Sequence, residues 1–162
     1  MEFYFPLNRI KPHIIREIFK SETGISLEAD YTTQLEKLTF APTAGFMKGY
    51  IDLIFEHDGK FYLVDWKSNY LGPTFESYNG NSLIKAMHAH LYTLQYHLYT
   101  LALYLYLRHH KPDFNYGADF GGVFYFFLRG AGNPGNPTSG LYQGYPSLKL
   151  IARMGQALVP GF

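Results

Sequence analysis

Hydrophobic and polar positions alternate most cleanly between Gly49 and Gly72 (GYIDLIFEHDGKFYLVDWKSNYLG), where two β-rich runs flank Asp58-Gly59. An Asp-Gly dipeptide between alternating apolar positions signals a hairpin, because both residues tolerate the positive φ of a tight turn. The pattern predicts strands over 49–56 and 61–67. Upstream, Glu2 to Phe5 read as a short strand ended by Pro6, and Pro12 to Lys20 (PHIIREIFK) carries Ile14, Ile15, Ile18 and Phe19 at helical spacing. Residues 21–44 read as irregular, with a further short strand near Leu38 to Phe40. Beyond the Gly/Asn/Ser/Pro-rich loop at 72–82, a helical pattern runs from Leu83 to about Arg108. Leu91, Leu94, Leu98, Leu101 and Leu105 mark its buried stripe, and a break is expected near Tyr92-Thr93. VFYFFL, residues 123–128, reads as a fully buried strand, Gly130 to Gly140 as a loop, and the last twenty residues as weakly patterned with a short terminal helix.

The hairpin turns into a chemical expectation once its register is counted. A two-residue turn at Asp58-Gly59 sets His57 opposite Lys60, Glu56 opposite Phe61, Ile54 opposite Leu63 and Asp52 opposite Asp65. Directly opposed residues share a face, with Cβ atoms roughly 4.5–5.5 Å apart. Period-two alternation adds Lys67 to that face. Two opposed carboxylates in a largely apolar strand repel, so they call for a compensating cation. A hard divalent ion with oxygen ligands suits them, and Mg²⁺ needs only one or two carboxylates plus water and substrate phosphate. Lys67 would orient the attacking water or neutralise developing charge. The plainer reading is an Asp65–Lys67 salt bridge on a solvated face, and the residues by themselves leave both open.

Composition narrows the classes. Of 162 residues, 47% are hydrophobic and 17% charged, which fits one globular domain. There is no Cys, so these residues supply no disulfide, thiolate zinc site, iron–sulfur ligand or cysteine nucleophile. The 15 Tyr and 14 Phe point to half-buried surfaces or to plain aromatic packing. A formal charge of +1 argues neither for nor against DNA. No apolar run approaches about 20 residues, and the N-terminus lacks a signal-peptide layout, so the expected place is the cytoplasm, with no membrane partner.

The layout G-Y-I-D (49–52) followed by D-W-K (65–67) resembles the core of the PD-(D/E)XK nuclease superfamily. GFMKGYIDLIFEHDGKFYLVDWKSNYLG, HLYTLQYHLYTLALYLYLRHH and FGGVFYFFLRG resemble the C-terminal nuclease domain of the RecB-type helicase–nucleases, over about Glu2 to Tyr142. The resemblance implies an α/β fold with a mixed β-sheet flanked by helices. It implies that Asp52, Asp65 and the main-chain carbonyl of Trp66 ligate Mg²⁺, with Mn²⁺ or Ca²⁺ as substitutes, and that Lys67 is the catalytic lysine. Gln95 and Tyr99 match the Q-x3-Y motif of this branch, at an i,i+4 spacing that puts both on one helical face; read alone, they fit a helix-to-sheet packing pair with satisfied polar tips better. The family also carries a metal-binding His in an upstream helix, so the chain is expected to be an N-terminally truncated piece of a larger polypeptide. Glu2 falls near a further acidic position of the family, and Lys85 and His88 stand as candidate phosphate neighbours.

The implied function is Mg²⁺-dependent exonucleolytic cleavage of DNA, chiefly single strands from an unwound duplex, in recombinational double-strand break repair by a bacterial cytoplasmic complex with RecC-like and RecD-like subunits. The alternative is a non-catalytic docking or regulatory domain of that complex with an incomplete metal site.

Overall fold

The computed structural model describes residues 1–20, 29–39 and 43–162. The chain opens with β1 (Glu2–Ile10), α1 (Pro12–Lys20) and α2 (Ala29–Glu36), followed by β2 (Thr43–Tyr50), β3 (Leu53–His57) and β4 (Lys60–Lys67). Helices α3 (Gly80–Ala89), α4 (Tyr92–His110) and the short α5 (Tyr116–Asp119) lead to β5 (Phe120–Phe127), β6 (Leu141–Gly144) and α6 (Leu148–Leu158). β1 and β2 form an antiparallel ribbon, and a second sheet has the order β3-β4-β5-β6. In that sheet β4 and β5 run parallel while the other two pairs are antiparallel. A parallel pair needs a long crossover, and α3, α4 and α5 provide it. The result is the expected mixed sheet with helices.

The hairpin forms as its sequence predicts. Asp58 (φ 49°) and Gly59 (φ 74°) both adopt positive φ, as a type I′ turn requires. The ladder runs from His57↔Lys60 to Leu53↔Val64. The single strand expected over 49–56, however, is two strands. At Ile51 the backbone still pairs with the N-terminal ribbon: its N–H donates to Met1 O at 2.8 Å and its carbonyl accepts from the Met1 ammonium. The chain then bends at Asp52 and changes sheets.

Other elements depart from expectation for identifiable reasons. Pro6 does not end β1 but sits inside it, opposite Phe46; β1 has one ladder partner, so the missing N–H is tolerated as on an edge strand. The supposedly irregular 21–44 region contains α2 and the start of β2, and Leu38 and Thr39 are not in a strand. Phe40, with the rest of 21–28 and 40–42, lies outside the described residues. The helical break falls at His90-Leu91, where Leu91 takes a left-handed conformation (φ 56°). Asn79 caps α3 by accepting from the Ser82 N–H at 3.1 Å. Of the predicted leucine stripe, Leu94 and Leu101 are buried while Leu91, Leu98 and Leu105 are only partly so. Buried Thr93, Tyr96, His97, Thr100 and Leu103 show that α4 is covered on more than one side. Burial holds the His97 imidazole neutral, with a pKa lowered to about 4.

β5 begins earlier than expected and is not buried on both faces. Val123, Tyr125 and Phe127 point into the core, whereas Phe124 and Phe126 are half-buried and Leu128 lies beyond the strand, exposed. Its core-facing side meets the same hydrophobic cluster as Phe19, Leu101, Ile151 and Met154. Among the described residues no helix is long and apolar enough to cross a membrane.

Candidate active site

Period-two geometry puts Leu63, Asp65 and Lys67 of β4 on the helix-facing side of the sheet. Asp65 is 5% exposed and Lys67 9%, so the pair is buried, and the solvated-face reading of D-x-K does not hold. Lys67 Nζ lies 2.6 Å from Asp65 Oδ2. The same ammonium donates to Gln95 Oε1 at 3.0 Å and sits 3.9 Å from the Tyr92 ring centroid. Tyr125, the parallel neighbour of Asp65, donates its hydroxyl to Gln95 Oε1 at 3.0 Å. Gln95 Nε2 donates to the Tyr99 hydroxyl at 2.9 Å. The structure therefore joins Asp65, Lys67, Gln95 and Tyr99 in one hydrogen-bonded cluster.

Asp52 reaches the site differently. The hairpin ladder stops at Leu53↔Val64, so Asp52 is not a ladder partner of Asp65 as the register count expected. Continued pairing would have set Ile51 against Trp66, but Ile51 is held by Met1. The freed Trp66 N–H donates instead to Asp52 Oδ2 at 2.9 Å. The carboxylate thus replaces a lost ladder acceptor. Within one strand residue, N–H and C=O point to the same edge, so the Trp66 carbonyl faces the side on which Asp52 stands. The Trp66 indole belongs to the opposite face, 45% exposed and tilted on Phe126 at 5.2 Å.

Burial raises the Asp65 pKa; the Lys67 ammonium offsets this in part, and the charge on Asp52 adds to the rise. Tyr99 and Tyr125 are pushed up too, first by burial and then by the charge on Asp65. Apart from the ammonium contact, Asp65 Oδ2 is enclosed and has no hydrogen-bond partner. Among the described residues, no group of three or more His, Asp or Glu side chains is placed to hold a metal ion. The donors on hand are two carboxylates and a carbonyl, a set that fits a cation such as Mg²⁺, which keeps several waters.

Glu2 does not join this cluster. It is exposed and pairs with Lys48 at 2.6 Å. His88 is buried against Tyr31, with ring centroids 5.0 Å apart, so it is no surface phosphate neighbour, whereas Lys85 is exposed. Tyr92 and Tyr125 were not singled out from the sequence. Tyr92 had a signal, since 92, 95 and 99 share one helical face. Tyr125 had none: only the parallel register of β4 and β5 brings an apolar-looking strand to Asp65.

A mixed sheet with crossover helices, carrying this cluster on β4, has the architecture of an α/β nuclease domain. The comparisons agree. The chain is 42% identical over 154 residues to RecBCD enzyme subunit RecB of Escherichia coli strain K12, covering 95% of the chain and 12% of that protein. It is 47% identical over 142 residues to the same subunit of Haemophilus influenzae, covering 86% of the chain and 12% of the relative. The Buchnera aphidicola (subsp. Acyrthosiphon pisum) subunit is 34% identical over 154 residues, 94% of the chain and 12% of the relative. No family model matches the chain. The chain is thus a homologue of RecB over most of its own length, consistent with that protein's C-terminal domain, and spans about one eighth of the curated relatives it matches.

Proposed function

We propose that this domain is the Mg²⁺-dependent nuclease of a RecB-like helicase–nuclease, hydrolysing DNA phosphodiester bonds exonucleolytically during recombinational double-strand break repair. The observation that carries the reading is the buried Asp65–Lys67 pair, with Asp52 tied to the intervening Trp66 N–H, in a RecB homologue. Asp52, Asp65 and the Trp66 carbonyl would hold the divalent ion, which when bound supplies Lewis acidity to the scissile phosphate and to water. Lys67, fixed by Gln95 and by the Tyr92 face, presents a positive charge to the anion that develops on the phosphate oxygens. Gln95 and Tyr99 hold that lysine in line. Substrate would be chiefly single strands from an unwound duplex, in a bacterial cytoplasmic complex with RecC-like and RecD-like subunits.

The test is cleavage of end-labelled single-stranded DNA by the purified 162-residue chain, with and without Mg²⁺ or Mn²⁺. Cation-dependent release of short products, lost in Asp65→Ala and slowed about 10²–10³-fold in Lys67→Ala, is the expected result. Cleavage that persists in folded Asp65→Ala overturns it. Absence of any cleavage or cation binding by the wild-type chain returns the reading to a docking or regulatory domain.

A further inference from the structure

A charge carried by Lys67 acts at one point only where so flexible a side chain is kept in place. A lysine stem has four rotatable bonds and loses considerable entropy when fixed. Here its Nζ sits 3.9 Å from the Tyr92 ring centroid and 5.0 Å from that of Tyr125. Both distances lie within cation–π range, and the Tyr92 contact is the shorter. Each ring is itself anchored. The Tyr92 hydroxyl donates to Asn69 Oδ1 at 3.1 Å, tying the first turn of α4 to the segment that follows β4. The Tyr125 hydroxyl donates to Gln95 Oε1, the atom that also accepts from Lys67, while Gln95 Nε2 is engaged by Tyr99. With both ends of its amide engaged, Gln95 keeps its oxygen towards the ammonium.

We infer that Tyr92 and Tyr125 are positioning residues for Lys67, forming a cradle of one aromatic face and one hydroxyl-oriented amide that fixes the ammonium beside Asp65. The inference rests on the assignment of Lys67 as the catalytic lysine, but the cradle itself is a property of the folded chain and is testable without catalysis. Without the Tyr92 face, Nζ loses its nearest shield on one side. Without the Tyr125 hydroxyl, the Gln95 amide loses one of two constraints on its oxygen.

Two readouts separate the cradle from the proposed function. The first is pulse labelling of lysines with acetic anhydride, followed by peptide mass spectrometry. Lys67 in the wild-type chain should label slowly; Tyr92→Leu should speed its labelling about tenfold, Tyr92→Phe should stay within about threefold of wild type, and exposed Lys85 should not change. The second is steady-state cleavage. Tyr92→Leu should lower kcat about tenfold with little change in KM, Tyr92→Phe should restore most of it, and Tyr125→Phe should fall between them. If Tyr92→Leu does not fold, Tyr125→Phe, which removes one atom, carries the labelling test. Faster labelling in a chain that cleaves no DNA supports the cradle and counts against the nuclease reading alone. Unchanged Lys67 labelling in both folded variants, or a Tyr92→Phe chain as impaired as Tyr92→Leu, overturns the inference.

Discussion

Asp52 and Asp65 are chemically identical and feel each other's charge, yet the fold holds them in opposite ways. Asp65 stands inside β4, enclosed, with a lysine two residues on as its counter-ion. Asp52 stands on the bend between two sheets, exposed, held by one backbone N–H. One carboxylate is placed by the core and the other by a local interruption of strand pairing. A buried charge pair is costly to break, whereas an exposed hydrogen bond is not. Under the proposed reading, losing either carboxylate should therefore abolish the same chemistry at very different structural cost.

That contrast breaks most visibly in Asp65→Ala. It should abolish cleavage and also lower stability by about 3–5 kcal/mol, since it leaves Lys67 buried without its counter-charge. A drop in Tm of roughly 6 °C or more follows by calorimetry. Asp52→Ala should abolish cleavage equally but cost only about 1 kcal/mol, the net worth of one hydrogen bond. Equal Tm losses in the two variants would remove the distinction. Lys67→Ala should slow cleavage about 10²–10³-fold, as loss of a charge aimed at the transition state does.

A smaller effect is pH dependence. Burial raises the Asp65 pKa, so the cation-free folded chain binds that proton more tightly than the unfolded chain does. Its stabilising contribution is full below about pH 3.9 and is lost as pH rises through the raised folded value. A bound cation reverses the sign, because a ligating carboxylate must be deprotonated; affinity should fall as pH drops through that same value. Melting curves across this window should show the cation-free dependence in wild type and its flattening in Asp65→Asn. Trp66→Ala should have the smallest effect of all on cleavage, because only the Trp66 main chain faces the site. A large loss of cleavage in folded Trp66→Ala would mean that the indole itself acts there.

Much of this was legible in the sequence, and what was not has a physical cause. The Asp-Gly turn fixes the register of the hairpin, so Asp65 and Lys67 fall on one face by counting. The bend at Asp52 was not countable, because it depends on Met1 competing for Ile51 across fifty residues of chain. Gln95 and Tyr99 lie four apart on a helix, so their shared face was readable, but their approach to Lys67 depends on how α4 lies against the sheet. Tyr125 depends on a parallel pairing that no local pattern encodes. The strand through Pro6 and the helix α2 were missed because local propensity yields to pairing and packing.

The central claim, that Asp52 and Asp65 share one divalent cation, is tested most directly by calorimetric titration of the purified chain with Mn²⁺. A single saturable site, weakened at least about tenfold in both Asp52→Asn and Asp65→Asn yet unchanged in Trp66→Ala, is the predicted result. Binding of equal strength in wild type and Asp65→Asn, or none in the wild-type chain, would contradict it.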